Sequence, residues 1–232
     1  MNVSSLPQVV SAIGGLGTAA FGLLEAVKPV MPWINHIGFG RIQKTVTCLT
    51  PNEPTARPPL NALPQANILD TLLANWVNGT DVSSQKAIAK SLIKLHLSEG
   101  NSASIAAGMN VDAVLLTQVA QNIVSGTPLN QQQSDAYARF DLILTAMLDE
   151  SYQHADQVYR NWTRGLAALI AVGLGFLGGW TLSNLDLSHY LSSPYVGQAI
   201  LIGVLATPLA PIAKDLSSAL TTAVNAMQFV KK

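Results

Sequence analysis

Glu150 and His154 stand four residues apart, flanked by Asp149 and Asp156, in the run Asp149-Glu-Ser-Tyr-Gln-His-Ala-Asp156. Positions four apart share a helix face, so here the chain comes nearest to a metal-binding or acid–base constellation. Di-metal carboxylate bundles, however, set Glu and His three apart and repeat the pair on a second helix. No second copy occurs, and an i, i+4 ion pair on a solvated face accounts for the spacing. His36, His96 and His189 are isolated, and the single cysteine, Cys48, excludes an intramolecular disulfide framework and a cysteine-based zinc site. There is no nucleophile elbow, phosphate-binding glycine loop or zinc signature, and Gly38-Phe-Gly40 is too short to count as one. The sequence thus supports neither catalytic residues nor a cofactor or metal. A metal-dependent membrane enzyme centred on Glu150 and His154 ranks last among the functional readings.

Lys86, Lys90 and Lys94 recur every four residues and form a basic ridge opposite Ile88, Leu92 and Leu95. A solvated helix face explains such a ridge. Its functional alternative is contact with anionic lipid head groups or an acidic partner. With 13 Lys and Arg against 13 Asp and Glu the net charge is zero, which gives no reason to expect nucleic acid as a partner.

Small residues make the most specific pattern. Ala167, Ala171, Gly175 and Gly179 fall every fourth residue, giving one helix face where another backbone can approach closely. Ser11, Gly15 and Ala19 repeat the device, as do Gly14, Thr18 and Gly22, and Ala199, Gly203 and Thr207. Packing of spans within one chain consumes some of these faces. The first span has two, one more than a simple pairing needs, and association between chains is the expected use of the spare. Gly15, Ala19, Ala167, Ala171, Gly175, Gly179 and Gly203 are therefore the candidate helix-packing or oligomer interface.

The elements that carry these residues follow from composition. Only 11% of the 232 residues are charged and 49% are hydrophobic, against roughly 25% charge in a soluble domain. The mean hydropathy is +0.31. Leu6 to Leu24 is an uncharged run of 19 residues, about 28 Å as a helix and close to the hydrocarbon thickness of a bilayer. A signal peptide would carry its cations before such a run, whereas here the first cation, Lys28, comes after it. Gly165 to Leu185 is a second run, between Arg164 and Asp186. Val196 to Ala213 is a third, and its Pro208 and Pro211 should kink or break the helix near its inner end. Glu25 and Lys28, one turn apart, are expected to neutralise each other at the interface.

All 13 Lys and Arg fall on one side of these spans: ten within residues 28–164 and three within 214–232. Positive flanks stay in the cytoplasm, which sets the N-terminus outside and the C-terminus inside. Trp33, Tyr159 and Trp162 then mark the inner interface, and Trp180, Tyr190 and Tyr195 the outer one.

Residues 29–64 hold seven of the twelve prolines, a density that argues against any long helix. Within them Arg41 to Leu49 alternates weakly, with Ile42, Val46 and Cys48 on one side, as a short strand or an extended segment would. After Pro64 the period becomes helical. Ile68, Leu69, Leu72, Leu73, Trp76 and Val77 form a stripe that stops at Asn78-Gly79. Further helices are expected at 83–98, at 111–124 and from about 130, with connections at Gly79, Gly100 and Gly126. Neither proline nor glycine interrupts Asn130 to Arg164, so the last of these helices should run straight into the second span and join the two parts rigidly.

The chain thus reads as all-α: an integral membrane protein with three transmembrane helices and a cytoplasmic α-helical bundle. Its parts are a first transmembrane helix (1–28), a proline-rich connector (29–64), the bundle (65–163), a transmembrane hairpin (164–213) and a cytoplasmic tail (214–232). The expected function is that of a non-enzymatic, self-associating assembly or anchoring subunit in a plasma or bacterial inner membrane. Its partners would be the lipid bilayer and either further copies or another protein of a membrane complex. An oligomeric channel ranks second, because pores need polar or charged rings and only Gln198 and Thr207 are polar between Val196 and Ala213.

Overall fold

The computed structural model describes residues 6–51 and 64–211, and among these the regular structure is entirely helical. In chain order the helices are α1 (Leu6–Val27), α2 (Phe39–Leu49), α3 (Gln65–Val77), α4 (Val82–His96), α5 (Glu99–Met109), α6 (Ala113–Ser125), α7 (Gln131–Ser183) and the short α8 (Leu187–Leu191). A further helix, α9, covers Pro194–Pro211. Three helices, α1, α7 and α9, are long and apolar enough to cross a membrane. The N-terminal residues 1–5, the connector prolines Pro54, Pro58 and Pro59, and the tail 214–232 lie outside the described residues.

The described residues divide into two compact units: one within Trp33–Tyr159, the other within Met1–Pro32 and Arg160–Lys232. α7 contributes its first half to one and its second half to the other. It is helical over 53 residues, as the absence of proline and glycine before Gly165 led us to expect.

In the Trp33–Tyr159 unit, Phe140, Leu144, Leu148 and Tyr152 of α7 form a fully buried stripe at spacings of four. Around it pack Ile68 and Leu72 of α3, Ala89 and Ile93 of α4, Ile105 of α5 and Leu116 of α6. The segment Arg41 to Leu49 is neither strand nor extended connector. It is the helix α2, whose Phe39, Ile42, Val46 and Leu49 are buried in the same core. Those positions follow a three-four helical period. The prolines that argued against a helix bracket it, at Pro32 and Pro51, and leave 33–50 free of proline. Gly38, just before α2, has φ 90, and a Cβ there would collide with the carbonyl oxygen of Ala155, so glycine is what lets α2 begin against the α7 backbone.

α5 is a second departure. Gly100 was expected to mark a connection, yet it lies in the first turn of a helix set by a capping box. The Ser98 hydroxyl accepts from the Asn101 amide, and Asn101 Oδ1 accepts from the Ser98 amide at 2.8 Å. Asp81 caps α4 and Asp112 caps α6, each accepting an amide at 2.9 Å. The Ser83 hydroxyl, with Ser84, holds the Asp81 carboxyl at about 2.

The second unit is built on small residues. Ala20, Ala171 and Ala206 form its buried centre, with Ile13, Leu16 and Ile170 packed against it. α9 is helical through Pro208, so that proline does not end it within the described residues.

Candidate functional site

Which small-residue faces are used inside the chain can be read position by position. On α7, Ala167 and Ala171 are fully buried. Further along, a Cβ on Gly175 would stand 3.0 Å from the Ala199 carbonyl oxygen, and one on Gly179 would collide with the Tyr190 hydroxyl. On α9, a Cβ on Gly203 would collide with the Val172 backbone. The faces of α7 and α9 therefore pack against each other within the chain, the less interesting of the two uses the spacing allowed.

α1 behaves differently. It packs through Gly14, Gly17, Ala20 and Leu24, and a Cβ on Gly17 would collide with the Ala206 carbonyl. Spacing by four did not single out Gly17. Gly15 and Ala19 are exposed, and a Cβ on Gly15 meets nothing within 4 Å. Of the alternative set, Gly14 is buried whereas Thr18 and Gly22 are exposed. One expected interface marker moves inward: Tyr190 is fully buried, stacked edge-on against Phe176 at 5.2 Å, while Tyr195, Trp162 and Trp33 are exposed. Between α1, α7 and α9 lies a groove of about 780 Å³, lined by Leu16, Gly175, Gly178, Gln198 and Ile202 among others. Lys28 Nζ donates to Glu25 Oε1 at 2.5 Å at the end of α1.

The basic ridge of α4 turns toward α7. Lys86 Nζ donates to Asp149 Oδ1 at 2.5 Å and Lys90 Nζ to Asp141 Oδ2 at 2.7 Å, and Lys94 pairs with the other Asp141 oxygen. Lys94 also stands over the Tyr137 ring, 5.2 Å from its centroid. All three lysines thus have a carboxylate or ring within their own chain. Burial alone would lower the Lys94 ammonium, but the Asp141 hydrogen bond outweighs it and the net shift is upward. For Asp141, burial raises the carboxyl and the hydrogen bonds from Lys90 and Lys94 more than offset it, so the net shift is downward.

A carboxyl with a lowered folded-state pKa contributes stability that is complete above its ordinary value and is lost as pH falls through the lowered one. Acid should therefore destabilise the Trp33–Tyr159 unit in part through Asp141. Asp141→Asn is expected to lower its thermal midpoint at neutral pH and to flatten the acid limb of a midpoint-against-pH profile. An unchanged acid limb would show that the two Asp141 pairs contribute nothing to stability.

Glu150 and His154 lie on an exposed face of α7 and, among the described residues, do not form the ion pair that their spacing suggested. They line a groove of about 240 Å³ opposite Arg41, Lys44 and Cys48 of α2. Sequence reasoning missed this juxtaposition because it read α2 as extended. Among the described residues no group of three or more His, Cys, Asp or Glu stands close enough to hold a metal ion.

Among the described residues the regular structure is thus all-helical, with three apolar helices compatible with membrane insertion. Comparison with known protein families, curated proteins and solved structures gives no match.

Proposed function

We propose that the chain is a non-enzymatic membrane protein, a self-associating assembly or anchoring subunit that spans the bilayer with α1, α7 and α9. In this reading the N-terminus lies outside, and the Trp33–Tyr159 unit and the C-terminus lie in the cytoplasm of a cell bounded by a plasma or bacterial inner membrane. The unit is held there for a partner protein. The observation that carries self-association is the contrast along α1: Gly17 and Ala20 are consumed within the chain, while Gly15 and Ala19 present a second small-residue face to the lipid. Such faces associate because backbones can come within van der Waals distance in a medium that gives no hydrophobic drive. The one-sided distribution of Lys and Arg supports the orientation. A channel is the weaker reading, since the groove between the spans has few polar lining groups and pores require them.

Particle mass in detergent tests the proposal. The wild-type chain is expected to exceed the 24.5 kDa of one copy plus its detergent, and Gly15→Leu with Ala19→Leu is expected to reduce it to one copy without loss of folded yield. A monomeric wild type would overturn self-association and leave an anchor for another protein. Orientation is read with Cys48→Ser as background. A thiol introduced by Ser192→Cys should react with an impermeant maleimide from outside, and reaction only after permeabilisation would reverse the topology.

A further inference from the structure

The groove between α2 and α7 differs from the face where α4 meets α7. α2 supplies Arg41, Lys44 and Thr45 at successive turns of one face, and α7 supplies Glu150, Ser151 and His154 on the facing one. The lysines of α4 have carboxylates of α7 as partners. Arg41 and Lys44, in the same unit, have none among the described residues, and both are exposed. Glu150, on the opposite wall, has no ion pair among the described residues either.

From this juxtaposition we infer that the groove binds a small phosphate monoester whose organic part carries a hydroxyl or amine. The phosphate sits between the Arg41 fork, the Lys44 ammonium and the Thr45 hydroxyl, since guanidinium matches a phosphate edge with two parallel donors and lysine adds a point charge. The His154 ring can donate from the other wall. Glu150, which carries the same sign of charge as a bare anion, accepts from the ligand's own hydroxyl or amine. The groove, about 240 Å³ and open to solvent, has room for a phosphate on a three-carbon skeleton. Such a group is offered equally by a free metabolite and by a phospholipid head group.

Cys48 lines the same groove and is the chain's single thiol, so it reports occupancy. In the full detergent-solubilised chain, glycerol phosphate titrated at constant ionic strength should slow alkylation of Cys48 by N-ethylmaleimide in a saturable manner. Arg41→Gln with Lys44→Gln should weaken that protection at least about tenfold, the size of effect expected when charged hydrogen bonds are lost. Both side chains are exposed and without an ion pair among the described residues, so the variant should fold. Arg139→Gln, which removes the same kind of charge from an exposed position outside the groove, should leave protection intact. In reconstituted vesicles, protection by phosphatidic acid relative to phosphatidylcholine would assign the head group as ligand. Protection by soluble glycerol phosphate alone would assign the free ester. Absence of saturable protection from either source, persistence of protection in the double variant, or equal loss in Arg139→Gln would overturn the site.

Discussion

Gly17→Leu is expected to abolish recovery of the folded chain, whereas Gly15→Leu, two residues away on the same helix, is expected to leave recovery unchanged. The difference lies in what each new side chain would meet. At Gly17 the first added carbon already collides with the backbone carbonyl of Ala206, and backbone has no rotamer by which to yield. At Gly15 nothing stands within 4 Å. Overpacking of interiors costs about 1–3 kcal/mol when side chains can rearrange; a backbone-to-backbone contact belongs at or above the top of that range. A total stability on the order of 5–15 kcal/mol leaves little margin for it. The measurement is the yield and thermal midpoint of monodisperse protein after size exclusion in detergent. Equal behaviour of the two variants would show that α1 does not cross α9 at this point.

The second large effect is expected in the Trp33–Tyr159 unit. Phe140→Ala removes a fully buried ring from the α7 stripe, where it stacks on Tyr137 with centroids 5.9 Å apart. Truncation of buried Phe typically costs about 3–5 kcal/mol, the transfer of the ring plus the cavity it leaves. For a domain of this size that lowers the thermal midpoint by on the order of 10–20 °C. Leu142→Ala, two positions along at a residue 71% exposed, should shift it by no more than about 0.5 kcal/mol equivalent. Circular dichroism melts of the full chain separate the two. A mild Phe140→Ala phenotype would mean that α7 is not the core of the unit.

These contrasts mark where sequence was readable and where it was not. α3, α4, α6 and α7 carry long apolar stripes at helical spacing, with Asp or Asn-Gly punctuation at their ends, and pattern alone locates them. α2 is short, and a period of three to four sampled over eleven residues passes for alternation if its register is read from Arg41 rather than from Phe39. α5 has mainly Ser, Ala and Gly around Ile105 and Met109, too little apolar contrast to show a face; only the Ser98 and Asn101 pair signals its start. The groove of Arg41, Lys44, Glu150 and His154 was hidden for the same reason, since its α2 wall exists only if the segment is a helix. On α1 the difficulty is the reverse. Small residues occur all round it, so spacing offers several faces, and the choice of Gly17 over Gly15 depends on where Leu16 and Leu24 find room.

The crossing of Gly17 with Ala206 also has a consequence in time. The two residues lie near opposite ends of the chain, and at synthesis rates of about 5–20 residues per second roughly 10–40 seconds separate their emergence from the ribosome. If α1 spans a bilayer as proposed, its glycine face is held there during that interval without the helix it meets in the folded chain, open to lipid, to other nascent spans and to the insertion machinery. In that reading, packing of α1 against α9 is a late event that waits for α9, and chains that stop before α9 should leave α1 as an orphan for quality-control proteases to recognise.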